Sequence, residues 1–268
     1  MAPYDFKAPD TDAILRSSDE KELRVHRLIL SLSSPIFQGM FGLPQPDSAD
    51  PAARIPTIDV SDPSDTLVPF IQYLYPLSPP KIADLSAWAA LYAIADKYSA
   101  GVVMERLRDV LVPRFLEASP LRVYALASRW GLEEEAKAAS RRTLRLDILK
   151  DFSEEDAEFM GGVACQRLLF LHFNRRVAAQ ALVENHPLPS SGDPTCRCPK
   201  QDYHIFIKAL GERVGKIPWL TAQEMEKVVV EQRYPRPCSA DNCRDSVNNV
   251  YPYFSSLLEG ISNLPQTI

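Results

Sequence analysis

The sequence predicts an α+β fold, a small sheet with helices around it, followed by an all-α C-terminal region. Three observations predict it. Short segments with strand signatures stand only near the N-terminus, within residues 12–25 and 54–60. The apolar segments after them are spaced for helices. The 23 prolines fall mostly between apolar segments and punctuate a chain of short elements.

DAILRS (12–17) and ELRV (22–25) read as two strands around Ser18, Asp19, Glu20 and Lys21. In the second, Leu23 and Val25 share one face while Glu22 and Arg24 share the other, the pattern of a half-buried strand. Helix signals begin at His26, with Leu28, Ile29 and Leu32 on one side. Ser34-Pro35 restarts the helix. A residue before proline is pushed out of helical geometry, which suits an N-cap, and proline fits the first helical position. Ile36, Phe37, Met40 and Phe41 supply the next apolar face, and Gly42 can end it. Residues 43–53 are a polar, proline-rich loop. RIPTIDV (54–60) is a strand at a sheet edge, because Pro56 has no N–H to give to a ladder. Asp62-Pro63 caps a helix carrying Leu67, Phe70, Ile71 and Leu74, which Pro76 stops. Leu85, Trp88, Leu91, Tyr92 and Ala95 mark another, and Val102 to Val112 a third that stops at Pro113.

Ser119-Pro120 repeats the capping device before LRVYALASRW, with Gly131 as C-terminal cap and a helix from Leu132 to Leu146. Ser153 and Asp156 form a capping box. A long helix follows over 163–185, and PLPSSGDPT (187–195) is the best linker in the chain. The remainder holds three helices, around 201–214, 221–233 and 242–262.

The 268 residues suffice for one large or two small domains, and 46% hydrophobic with 24% charged residues is ordinary for a soluble globular protein. A net charge of −5 argues against a general nucleic-acid binder. No apolar run reaches the ~18–20 residues of a membrane span, and the N-terminus lacks the apolar core of a signal peptide. The expected location is therefore the cytoplasm or the nucleus, where cysteines stay reduced.

The run DAILRSSDEKELRVHRLILSLSSPIFQGMF, then IPTIDVSD, FIQYLYP and LYAIADKYS, resembles the BTB/POZ domain. Asp12, residues 23–26 (LRVH), Leu30, Ser34-Pro35, Phe37, Met40, Phe41, Tyr73 and Tyr75 sit where that family expects their types. The resemblance covers residues 8–118. The chain is similar to fungal BTB proteins with a helical tail, in which LRVYALASRWGLEEEAKAAS begins a BACK-like extension. The implied organisation is a BTB/POZ domain at 8–118, a BACK-like extension at 119–186, a linker at 187–195 and a helical tail at 196–268. The resemblance implies a non-enzymatic module for protein–protein association, self-associating as a homodimer through the helix from His26 to Ser33. Leu28, Ile29 and Leu32 are then the dimer-interface candidates, against the plainer reading that they are internal core. It further implies partner recruitment, most concretely as a substrate adaptor of a cullin ubiquitin ligase; the alternative is a transcription- or chromatin-associated regulator. Two departures stand out. About ten residues precede the first strand, too few for the exchanged N-terminal strand of many BTB dimers. GLPQPDSAD, after the second helix, lacks the glutamate of the hydrophobic-x-Glu motif that cullin adaptors carry.

Chemistry is sparse. Cys196, Cys198, Cys238 and Cys243 form two close pairs, the pattern in which structural zinc takes four thiolates. His204 is a spare ligand. Unliganded thiols are the other reading, and disulfides in an oxidising setting a third. Cys165 sits in a helical apolar pattern and reads as a core thiol. His26 reads as a hydrogen-bonding residue at a strand–helix junction, and His186 as a helix-end residue. Glu133, Glu134 and Glu135 favour a helix start. Arg141, Arg142, Arg145, Arg175 and Arg176 read as solvated faces or ion-pair partners, and Trp219 as core. No nucleophile–base pair or carboxylate pair for catalysis is apparent. If the four cysteines bind one zinc, elemental analysis of chain purified without chelator returns one metal per chain, and less than ~0.2 per chain refutes it.

Overall fold

The structure is a computed structural model. It describes residue 6 and residues 10–43, 55–186, 198–232 and 250–268, with no side-chain description at 155, 158, 198–203 and 250–253. The chain divides into two compact units, Met1–Phe115 and Leu116–Ile268.

The first unit holds a three-stranded sheet in the order β2-β1-β3, with β1 Ala13–Arg16, β2 Glu22–Val25 and β3 Thr57–Asp59. β1 pairs antiparallel with β2, placing Ala13 opposite Val25 and Leu15 opposite Leu23. All four are buried on one face, as the alternation requires. β3 joins β1 in parallel at the sheet edge, and the Pro56 carbonyl accepts the Ile14 N–H at 2.9 Å. The ring nitrogen of Pro56 thus needs no partner.

Helices α1 (Arg27–Ser33) and α2 (Pro35–Gly42) meet at Ser34. Ser34 is extended, with φ −150° and ψ 118°, the conformation proline imposes on its predecessor. Its hydroxyl accepts the Phe37 N–H at 3.1 Å and donates to the Tyr98 carbonyl at 2.5 Å. The Phe37 ring lies nearly flat on Tyr98, with centroids 4.5 Å apart, and Phe70 stacks on Tyr98 at 5.6 Å. Helices α3 (Ser64–Leu74), α4 (Leu85–Lys97) and α5 (Gly101–Phe115) complete the unit. Trp88 and Tyr92 of α4 stack at 4.9 Å, and the Trp88 indole N–H donates to the Leu107 carbonyl of α5.

Two expectations are corrected here. Asp62 does not cap α3: its carboxylate accepts from Lys97 Nζ and the Tyr98 hydroxyl, both at 2.6 Å. Burial, then this bond, push the Tyr98 phenol pKa upward. Asp19 of the β1–β2 turn caps α3 instead, accepting from the Ser64 N–H at 2.8 Å and the Ser64 hydroxyl at 2.6 Å. Those bonds, the Ser64 hydroxyl first, hold its carboxyl well below the usual range. Pro113 does not stop α5, which carries it in its last turn, where only one helical bond is lost.

In the second unit, α6 (Pro120–Arg129) and α7 (Glu133–Thr143) form a hairpin. Gly131 sits between them at φ +65°, a left-handed conformation glycine adopts without strain. Ser119 makes no side-chain cap bond, so here Ser-Pro supplies backbone geometry alone. Short helices α8 (Ile148–Asp151) and α9 (Glu154–Met160) lead to α10 (Gly162–Glu184). α9 opens on the expected reciprocal box of Ser153 and Asp156. The later helices are α11 (Cys198–Lys216), α12 (Ala222–Glu231), whose own capping box joins Thr221 and Glu224, and α13 (Val250–Ser262). Ala179 and Val183 of α10 share a core with Phe206 and Leu210 of α11, Met225 and Val228 of α12, and Phe254 and Leu257 of α13.

Arg175 is not on a solvated face. It is 1% exposed. Its guanidinium donates to the carbonyls of Pro218 at 2.8 Å, Ile261 at 2.6 Å, Leu264 at 2.5 Å and Pro265 at 2.9 Å. The cation therefore satisfies the end of α13 and the turn before α12, and burial lowers its pKa to about 10. The Trp219 ring has Arg145 at 5.2 Å and Arg175 at 5.3 Å. Beside Arg175 lies buried His172, whose Nε2 is 3.0 Å from the Thr143 hydroxyl oxygen. That hydroxyl gives its one proton to the Ser140 carbonyl at 2.6 Å, so His172 is the donor and is neutral with its proton on Nε2. Burial first, then Arg176 and Arg175, push its pKa down from 6.5 to about 4.

Two predictions follow from these contacts. Ser34→Ala removes a cap and strands the buried Tyr98 carbonyl, and it lowers the stability of the first unit by about 2 kcal/mol, read from urea unfolding. For His172, the unfolded chain binds a proton that the folded chain refuses between pH 6.5 and about 4, so stability falls as pH falls through that window. The loss reaches at most about 3 kcal/mol. Unfolding midpoints at several pH values check it, and His172→Gln flattens that part of the profile.

Candidate functional site

The first unit offers a surface, on α1. α1 is held at its start by three contacts. The Arg27 N–H donates to Asp12 Oδ1 at 2.7 Å, so a strand-flanking aspartate serves as the cap that His26 does not provide. The His26 N–H donates to the Tyr75 hydroxyl at 3.0 Å. The same hydroxyl lies 3.0 Å from His26 Nδ1. The other ring nitrogen, Nε2, lies 3.5 Å from an Asp10 carboxylate oxygen. The Arg27 guanidinium donates to the Phe41 carbonyl at 2.7 Å and lies over the Phe41 ring, tying α1 to the end of α2.

This anchoring fixes which side of α1 faces inward. Leu30 is fully buried, while Leu28 is 69% exposed and Leu32 79% exposed. Residues four apart lie on one face, so the two leucines form an apolar pair facing away from the unit's core. Ile29 is half-buried between these two environments. Ile36 of α2 and Leu43 beyond it are also exposed. The plainer reading, with all three α1 candidates in the core, therefore fails for Leu28 and Leu32. The sequence spacing misses that Leu30, not their face, carries the burial.

Of the zinc candidates, Cys196, Cys238 and Cys243 lie outside the described residues, as does the side chain of Cys198, the first residue of α11. Among the described residues no three His, Cys, Asp or Glu side chains converge as a metal-binding group. Cys165 is half-buried rather than fully internal. His186 packs its ring against Phe254 at 5.6 Å, and its Nε2 lies 3.5 Å from the Ser256 hydroxyl. The shifted groups are scattered: Asp19, Tyr73 and Tyr98 in the first unit, Tyr124, Lys137, His172 and Arg175 in the second. Each shift traces to burial or to a bond within the fold. Among the described residues no helix is long and apolar enough to cross a membrane.

A family model of the BTB/POZ domain matches residues 6–113. No curated protein matches the chain. BTB/POZ domains are protein–protein interaction modules, generally without enzymatic activity, and they commonly dimerise and bind partner proteins. The small sheet with its helices, the anchored α1 and the match together show that residues 6–113 of this chain are a BTB/POZ domain.

Proposed function

We propose that the chain is a non-enzymatic association module that pairs with a second copy of itself through α1 and recruits another protein. The exposed pair Leu28 and Leu32 carries this reading. Two large apolar side chains left bare on a rigidly anchored helix are stabilised by burial against a partner, and Ile29 at their edge extends the contact. The rigid start of α1 keeps the entropic cost of pairing small.

In this reading the BTB/POZ domain belongs to a fungal-type protein, and residues 119–186 act as a BACK-like extension that presents the recruited partner. Its concrete form is a substrate adaptor of a cullin ubiquitin ligase in the cytoplasm or nucleus. Because GLPQPDSAD supplies no glutamate, cullin contact in that form falls to the helical extension. The structural zinc, if carried by the cysteine pairs of the tail, is a staple and takes no part in association.

Sedimentation equilibrium tests the self-association. The expected mass of the wild-type chain is twice 30.1 kDa. Leu28→Glu with Leu32→Glu returns the mass to one chain, with the fold retained because both side chains point to solvent. A wild-type mass of one chain at every concentration, or a dimer that survives both substitutions, refutes it.

A further inference from the structure

The second unit carries an interaction surface of its own, on α10. On this helix Leu168, Leu171, His172, Arg175, Ala179 and Val183 face inward. Val163, Leu169, Phe170, Phe173 and Val177 do not, and are between 38% and 66% exposed. At about 100° per residue these five fall in one stripe, roughly a third of the circumference wide. Val163, Phe170 and Val177 recur every seven residues, and Phe173 stands three after Phe170, the spacing that receives another helix. Val163 and Phe170 also line a groove of about 1080 Å³, together with Leu132, Ala136 and Ile268. That is larger than a small-molecule site usually is, and its floor is mostly apolar.

Charge decides what fits. By the same geometry Arg167 and Arg176 border the stripe on its two sides. Among the described residues Arg167 makes no ion pair, and Arg176 Nε is buried without a hydrogen-bond partner. Arg175 spends its donors on carbonyl oxygens and meets no carboxylate in those bonds. α10 has one acidic residue, Glu184, two turns beyond Val177. In the groove wall Lys137 is matched by Glu134, and Glu133 is the remaining acid. A second copy docking this face on itself would set one arginine-bordered flank against another, the Arg167 sides together in an antiparallel pair and the Arg167 side on the Arg176 side in a parallel one, which like charges disfavour. We infer that the α10 stripe and groove dock an amphipathic helix of a different protein, one whose apolar face is flanked by Asp and Glu.

This goes beyond the α1 self-association and stands apart from it. The test uses the full chain and a fluorescent synthetic helix with Leu at i, i+3, i+4 and i+7 flanked by Glu, alongside its counterpart with Lys for Glu. The Glu peptide saturates the wild-type chain in anisotropy titrations, more weakly as salt rises. Phe173→Glu weakens it by about tenfold or more. Arg167→Glu shifts preference toward the Lys peptide. Circular dichroism confirms that both variants, altered at exposed positions, stay folded. No saturable binding, equal binding of the two peptides, or indifference to Phe173→Glu overturns the inference. So does loss of binding in the Leu28→Glu, Leu32→Glu chain, which would place the peptide on α1. A halved sedimentation mass for Phe173→Glu would assign the stripe to a second copy and overturn it as well.

Discussion

The Ser34 hydroxyl is the point on which the first unit turns. One oxygen closes the first turn of α2 and one proton ties that turn to the end of α4. The three rings of Phe37, Tyr98 and Phe70 then have a fixed stacking partner each. Because Ser34 also ends α1, the same contact sets the angle between the two helices and thereby the side that α1 shows to solvent. The apolar face of Leu28 and Leu32 is exposed because Leu30 points to the core, and Leu30 points there because the helix is pinned at both ends. The exposed apolar face of α1 is a consequence of backbone anchoring.

Much of this was legible in the sequence. The alternation in ELRV gives the buried face of β2, Pro56 gives the edge, and the Ser34-Pro35 dipeptide gives the helix break. These are local signals, each decided by residues a few positions apart. What was hidden depends on distant partners. Nothing near Asp19 says that it caps a helix beginning at Ser64, and Asp62-Pro63 is the better local candidate. Ser119-Pro120 looks like Ser34-Pro35 and lacks its hydroxyl bond, because capping needs the rotamer as well as the residue. The exposure of Leu28 and Leu32 could not be read from i, i+4 spacing, which marks a shared face and leaves open which way it looks.

Arg175 is the sharpest case. An arginine pair on a helix reads as solvated, because burying a lone cation costs several kcal/mol. Here the cost is offset by four carbonyl oxygens, three of them at the C-terminal end of α13, where the helix dipole is negative. The counter-charge is backbone, which no sequence pattern displays. After burial and Arg176, the same cation helps to hold down the pKa of His172 on the same helix.

The bond from Asp19 to Ser64 has a bearing on the order in which the first unit assembles. It spans 45 residues, with β2, α1, α2 and β3 inside the loop it closes. A local cap can nucleate its helix; this one arrives only after the loop has closed, since the hairpin turn must already be in place. The N-terminal turn of α3 is thereby a late-forming segment, and its amides would be among the first to exchange whenever the hairpin opens.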